Sequence, residues 1–143
     1  MTTTLSTKRD LAERLFAVID GKRWHDYETV VHPDVTMISP FGALHSAAEW
    51  AAFSEGFAEA IPDGTHAITD VLEDGDRAVV CGIWTGTHTG PMSTPQGPVP
   101  ATGRSVEVPF CAVSTVRDGR IASVQVYLDQ LTMMIQLGLA PGA

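Results

Sequence analysis

The fold is decided by the stretch RSVEVPFCAVSTVRDGRIASVQVYLDQLTMMIQLG, which occupies residues 104–138. Its first part, Arg104 to Arg117, is rich in strand-forming residues, and the pair Asp118-Gly119 separates it from a second such run, Arg120 to Leu128. An Asp-Gly pair between two β-rich runs is a strong hairpin signal. The apolar segment from Gln130 to Gly138 has the pattern of a closing helix. This part of the chain therefore predicts two long antiparallel strands followed by a helix.

Helices are predicted before these strands. Apolar residues at helical spacing indicate a first helix that ends at Gly21 and a short second helix that ends at His32-Pro33. A capping box, Ser46 with Glu49, opens a third helix. Two more strands follow it, from Thr65 to Leu72 and from Ala78 to His88.

The order of these elements predicts an α+β domain that spans residues 1–143. A curved antiparallel sheet must pack on the N-terminal helices to bury both apolar sets, and such a sheet leaves a cone-shaped pocket. Prolines and glycines between His88 and Arg104 argue against a regular strand there. We expect a loop that borders the pocket.

Composition excludes several classes of function. The formal net charge is -8, and the nine basic residues are scattered, so no basic face suits a nucleic acid. The chain has no apolar run of membrane-spanning length and no signal-peptide pattern at its start, so a cytoplasmic protein is expected. Cys81 and Cys111 are predicted to be buried free thiols. No histidine pair has the spacing of a zinc site, and we expect no metal and no organic cofactor.

The end of the last predicted strand carries a candidate acid. Alternation along a strand puts Gln125, Tyr127 and Asp129 on one face. A partly buried carboxylate beside a phenol and an amide is a candidate for proton transfer. The other interpretation is that Asp129 is the N-cap of the closing helix and accepts hydrogen bonds from its first turn. The residues alone leave both interpretations open.

Several motifs together resemble the SnoaL-like polyketide cyclase family. The segments that carry the resemblance are His32-Pro33-Asp34, Trp84 to Gly90, Pro100 to Arg104, Arg117 to Ile121, Tyr127 to Asp129 and Met134 to Gly138. The resemblance implies the cone-shaped fold of the nuclear-transport-factor-2-like superfamily. It also implies a cofactor-independent, intramolecular aldol-type cyclisation of a polyketide-like small molecule, with Asp129 as the general acid/base.

Other residues are candidates for substrate binding. Tyr127 and Gln125 share the face of Asp129, and His88 and His66 stand at the end and the start of predicted strands. Trp84, Trp50 and Phe53 are aromatic residues that could line a pocket for a flat ligand. A homodimer formed through the outer face of the sheet is expected. The alternatives are an isomerase, an epoxide hydrolase or a cofactor-free oxygenase with the same fold, or a ligand-binding module without turnover.

Overall fold

A curved six-stranded sheet and three α-helices make up most of the protein. The computed structural model describes residues 8–94 and 97–140. The helices are α1 (Lys8–Asp20), a 3₁₀ helix (Trp24–Thr29), α2 (Ala47–Ala60) and α3 (Gln130–Leu137). The strands are β1 (Val31–Ser39), β2 (Gly42–Leu44), β3 (Thr65–Asp74), β4 (Arg77–Thr87), β5 (Met92–Thr94), β6 (Gly97–Val99), β7 (Ser105–Arg117) and β8 (Arg120–Leu128).

The large sheet has the strand order β2-β1-β8-β7-β4-β3. All neighbouring strands are antiparallel except β1 and β8, which pair in parallel. The predicted hairpin between β7 and β8 is confirmed, and Asp118 and Gly119 both have positive φ at its turn. Positive φ at both central residues is the geometry that favours Asp-Gly in tight hairpins. The α+β architecture expected from the sequence is thus present.

The helices pack on the concave face of this sheet. Leu11 and Leu15 of α1 and Trp50 of α2 are almost fully buried against inward-facing residues such as Val80 and Ala112. The capping box is also confirmed, since Ser46 Oγ accepts a hydrogen bond from the Glu49 amide at 3.0 Å and Glu49 Oε2 accepts from the His45 amide at 2.7 Å. Burial of apolar faces on both layers is the main source of stability in such a fold.

The prediction that the segment between His88 and Arg104 contains no regular strand was wrong. This segment contains a small hairpin, β5 with β6, instead of a structure without strands. Both strands are three residues long, and each has a partner on one side only. Pro98 has no N–H to donate, and an edge strand tolerates proline where that side of the backbone faces away from the partner strand. Met92 packs against a second apolar cluster that includes Ile61 and Val108.

Two glycines of the Gly86-Thr87-His88-Thr89-Gly90 motif are required by close packing. A Cβ at Gly90 would overlap the carbonyl oxygen of Glu59, at the end of α2. A Cβ at Gly86 would overlap the Ile61 side chain. The amides of Thr89 and Gly90 both donate to the Ala60 carbonyl, at 3.1 and 3.0 Å. The motif therefore attaches β4 and the following hairpin to the end of α2.

Candidate active site

A cavity of about 150 Å³ lies between the concave face of the sheet and the helices. An apolar cavity of about 150 Å³ is large enough to hold benzene, so this one accommodates at least one ring. Its walls are mostly apolar, with aromatic side chains from α1, the 3₁₀ helix, α2 and the sheet. These side chains include Phe16, Trp24, Trp50, Phe53, Phe57 and Trp84.

A histidine and a carboxylate form a pair on the wall of this cavity. His66 lies on β3 and Asp20 is the last residue of α1. His66 Nδ1 lies 2.6 Å from Asp20 Oδ1, and the His66 amide donates to Asp20 Oδ2 at 2.8 Å. The side chains are 18% and 23% exposed, so the pair is shielded from bulk water without being sealed. Each carboxylate oxygen has its own donor, and this fixes the position of the imidazole.

The partner of Nδ1 determines where the imidazole can act as a base. An ionised carboxylate only accepts hydrogen bonds, so the neutral His66 ring carries its proton on Nδ1. Nε2 then holds a lone pair, and it has no hydrogen-bond partner among the described residues. His66 lines the cavity, so a ligand bound there would lie beside its side chain. The same arrangement stabilises the imidazolium that forms once Nε2 takes up a proton.

Aromatic rings hold the imidazole in place. The centroid of the His66 ring lies 4.9 Å from that of Phe16, 5.2 Å from that of Phe110 and 6.5 Å from that of Trp84. Packed rings leave the imidazole few alternative rotamers, which is what a positioned base needs.

A comparison with protein-family models matches residues 9–137 to the family described as SnoaL-like polyketide cyclase. The chain belongs to this family. Its SnoaL-like fold is supported by solved structures. A candidate SnoaL-like polyketide cyclase from Jannaschia sp. CCS1 superposes with a TM-score of 0.82 at 23% identity, and the match covers 99% of each chain. IdmH from Streptomyces antibioticus, a candidate polyketide cyclase, gives a TM-score of 0.78 at 25% identity over 92% of this chain and 99% of IdmH.

A Catenulispora acidiphila protein with a ketosteroid isomerase-like fold gives a TM-score of 0.75 at 19% identity, over 93% of this chain and 95% of its own. These likenesses confirm the predicted cone-shaped fold. A comparison with curated protein sequences found no match.

Asp129, the acid that the resemblance singled out, does not lie in the cavity of this SnoaL-like protein. It is exposed and is the N-cap of α3. Its Oδ1 accepts from the Thr132 amide at 2.9 Å and its Oδ2 accepts from Thr132 Oγ1 at 2.6 Å. The expectation of a partly buried acid was wrong, because the carboxylate turns back onto the first turn of the helix that follows it.

The cap gives Asp129 a pH-dependent contribution to stability. The two hydrogen bonds from Thr132 favour the ionised form and hold the pKa of Asp129 below its usual value. The contribution is therefore present above the unfolded-state pKa and is lost as the pH falls through the lower folded-state pKa. We expect the difference in melting temperature between the wild type and Asp129→Ala to be clear at pH 7 and to shrink below about pH 4. A difference that stays constant down to pH 2 would contradict the ionised cap.

Gln125 and Tyr127 are also outside the cavity. Both are exposed, Tyr127 at 53%, on the convex face of β8. The alternate residues of the strand, Val124, Val126 and Leu128, line the cavity. The grouping of Gln125 with Tyr127 was right, but the pocket lies on the other face, because the apolar side of β8 covers the concave core.

His88 has a structural position instead of the predicted contact with substrate. It is fully buried and does not line the cavity. Its Nδ1 accepts from the Thr102 amide at 3.2 Å and lies 3.0 Å from Thr102 Oγ1. The His88 amide donates to the Arg104 carbonyl at 2.8 Å and its carbonyl accepts from the Gly103 amide at 2.8 Å. His88 therefore closes the base of the β5–β6 hairpin, and no described residue of that hairpin lines the cavity.

The other predicted binding residues, His66, Trp84, Trp50 and Phe53, all lie in the cavity wall. Asp20 and Ser54 also line it, and neither was predicted from the sequence. For both residues the sequence contained a feature that could have indicated a functional role. Asp20 is an acid at the C-terminal end of a helix, where the helix dipole disfavours negative charge. Ser54 is a hydroxyl within the apolar face of α2.

Within the described ranges, no group of three or more His, Cys, Asp or Glu side chains is arranged to hold a metal ion. Cys81 and Cys111 are free and half-buried, with their sulfur atoms 3.5 Å apart across β4 and β7.

In the described part of the chain, no helix is long and apolar enough to cross a membrane.

Proposed function

We propose that this protein closes a ring in a flat, polyketide-like carbonyl compound by an intramolecular aldol reaction, with His66 as the general base. The observation that carries the proposal is that His66 lines an apolar cavity with its Nδ1 2.6 Å from Asp20 Oδ1, while its Nε2 has no hydrogen-bond partner among the described residues. Membership of the SnoaL-like polyketide cyclase family supports the class of substrate. The predicted setting is a cytoplasmic homodimer without metal or organic cofactor.

The reaction needs two proton transfers. Nε2 of His66 removes a proton from the carbon next to a carbonyl group, and the resulting enolate attacks a second carbonyl of the same molecule. The imidazolium then returns the proton to the new alkoxide, so product and substrate have the same composition. Asp20 stabilises the imidazolium between the two transfers, because its carboxylate faces the Nδ1–H.

The walls of the cavity assist both steps. Apolar side chains keep water away from the enolate and strengthen the interaction between the imidazolium and Asp20. The aromatic walls suit the flat faces of a conjugated ring system. A longer substrate would place its reactive end beside His66 and its remainder along Lys22 and Trp24, which also line the cavity.

Proton removal can be tested without the natural substrate. In D₂O, the protein is expected to catalyse deuterium uptake at C1 of 2-tetralone, a two-ring ketone, with saturation kinetics measured by NMR. Ala58 lines the cavity from α2, so Ala58→Trp is expected to fill the space and return the exchange to the rate in buffer. Ala52→Trp, at an exposed position of the same helix, is the matched control and should keep the wild-type rate.

Two outcomes would contradict the proposal. Exchange by Ala58→Trp at the wild-type rate would place the base outside the cavity. Saturable binding of 2-tetralone by the wild type with no exchange above that of free imidazole would indicate a binding module without turnover.

A further inference from the structure

A second polar group with unused hydrogen-bonding capacity lies in the cavity wall. Ser54 lies on the inner side of α2, is only 8% exposed and lines the cavity. The hydroxyl of Tyr27, from the 3₁₀ helix, donates to Ser54 Oγ at 2.6 Å. The base mechanism gives neither residue a role. A buried pair of hydroxyl groups beside an apolar cavity is costly unless its hydrogen bonds are completed.

The direction of this hydrogen bond follows from burial. Tyr27 is 2% exposed, and Ser54 Oγ is the partner that the described residues offer to its hydroxyl. Without Ser54 Oγ as its acceptor, the buried phenol proton would be unpaired, and burial also raises the pKa of Tyr27 above its usual value, so this proton is retained. Ser54 Oγ therefore accepts from Tyr27. The proton of the Ser54 hydroxyl then has no acceptor among the described residues, and the open space beside it is the cavity.

We infer that Ser54, polarised by Tyr27, donates a hydrogen bond to the carbonyl oxygen of the substrate and to the enolate oxygen that forms from it. This inference rests on the proposed function and adds the group that stabilises the negative charge. Successive hydrogen bonds in a chain of hydroxyl groups strengthen one another, so the hydrogen bond from Tyr27 makes Ser54 a stronger donor than an isolated serine. A positioned donor of this kind acts most strongly where charge develops.

A donor at Ser54 and a base at His66 together restrict the class of ligand. The ligand needs an oxygen acceptor directed at α2, where Ser54 stands, and an acidic C–H directed at β3, where His66 stands. An enolisable ketone or β-keto ester supplies both on neighbouring atoms. An apolar hydrocarbon or an organic ammonium ion would leave the Ser54 proton without an acceptor.

The test uses a ketone from which no proton can be removed, so that it is independent of His66. The probe is 2,2-dimethyl-1-indanone labelled with ¹³C at the carbonyl, and the readout is its infrared C=O stretch when bound. In the wild type the stretch is expected below its value in an alkane solvent. Ser54→Ala should return it to the alkane value and weaken binding roughly threefold to tenfold, the range of one neutral hydrogen bond.

Two further variants complete the test. Tyr27→Phe removes the donor to Ser54 but keeps the Ser54 hydroxyl, and should give a stretch between those of the wild type and Ser54→Ala. Ser39→Ala is the matched control, because Ser39 also lines the cavity but its hydroxyl accepts from the Phe41 amide at 3.1 Å and donates to the Gly42 carbonyl. Ser39→Ala should keep the wild-type stretch.

The same stretch in the wild type and in Ser54→Ala, with both folded by circular dichroism, would overturn the inference. So would an unchanged stretch in Tyr27→Phe if Ser54→Ala is unstable. Either result would leave the proposed function intact, since deuterium exchange by His66 is measured separately. Failure of exchange with a normal Ser54-dependent stretch would instead contradict the proposed base.

Discussion

Replacement of His66 by glutamine is expected to slow deuterium uptake by 2-tetralone by about 10²–10⁴, the usual contribution of a general base. Glutamine keeps the backbone amide that donates to Asp20 and has similar length, but it cannot accept a proton from carbon. The rate should be measured by NMR at saturating 2-tetralone. The melting temperature of the variant is measured in parallel, because the glutamine side chain loses the contacts of the His66 ring with Phe16 and Phe110.

Asp20→Asn is the companion variant. The asparagine amide can accept from Nδ1–H with its oxygen or donate to Nδ1 with its nitrogen, and the second arrangement would place the imidazole proton on Nε2. We expect a smaller loss of exchange than in His66→Gln, with the affinity for 2-tetralone retained. An unchanged rate in Asp20→Asn would show that the carboxylate does not orient or stabilise the imidazole.

Of the variants discussed, Gly90→Ala is expected to have the largest effect on stability, a loss of about 1–3 kcal/mol or more in the free energy of unfolding. The new Cβ would overlap the Glu59 carbonyl oxygen, which belongs to a helix backbone that cannot turn aside. Relief of the overlap would lengthen the hydrogen bonds from Thr89 and Gly90 to the Ala60 carbonyl. Chemical denaturation followed by circular dichroism measures the loss.

Gly56→Ala is the matched control for this prediction. Gly56 is an exposed residue inside α2, and a Cβ there would have no neighbour within 4 Å. Alanine has a higher helix propensity than glycine, so this variant should gain about 0.5–1 kcal/mol. Equal stability of Gly90→Ala and the wild type would mean that the end of α2 does not pack on the motif as described.

Local patterns in the sequence predicted much of the fold. The Asp118-Gly119 pair fixes a two-residue turn by itself, and Ser46 with Glu49 caps α2 through contacts within one helical turn. Such features depend on residues close in the chain, so they can be found without knowledge of the tertiary structure. The parallel pairing of β1 with β8 depends on long-range packing, and no local pattern indicated it.

The candidate site was harder to predict, because its main pair joins residues 46 positions apart. Asp20 acquires its partner only when α1 packs against the start of β3. Asp129 lies next to the final helix in sequence, and its local role as a cap was one of the two interpretations that the residues allowed. Alternation along β8 correctly separated two sets of residues but could not say which face is concave.

One of the motifs that carried the resemblance, Gly86 to Gly90, has a structural role. Gly86 and Gly90 allow close contact with the end of α2, and His88 between them closes the following hairpin. In this chain the motif therefore forms a packing contact. The residues proposed to perform chemistry lie elsewhere, on α1, α2 and β3.

We propose that proton transfer occurs at His66, which lines the cavity, and not at Asp129 on the surface. The most direct test is the rate of deuterium uptake by 2-tetralone with Asp129→Asn and His66→Gln, measured side by side. Asparagine is itself a good N-cap, so Asp129→Asn should remain folded. We expect a wild-type rate for Asp129→Asn and a loss of about 10²–10⁴ for His66→Gln. A large loss in Asp129→Asn with a wild-type rate in His66→Gln would contradict the proposal.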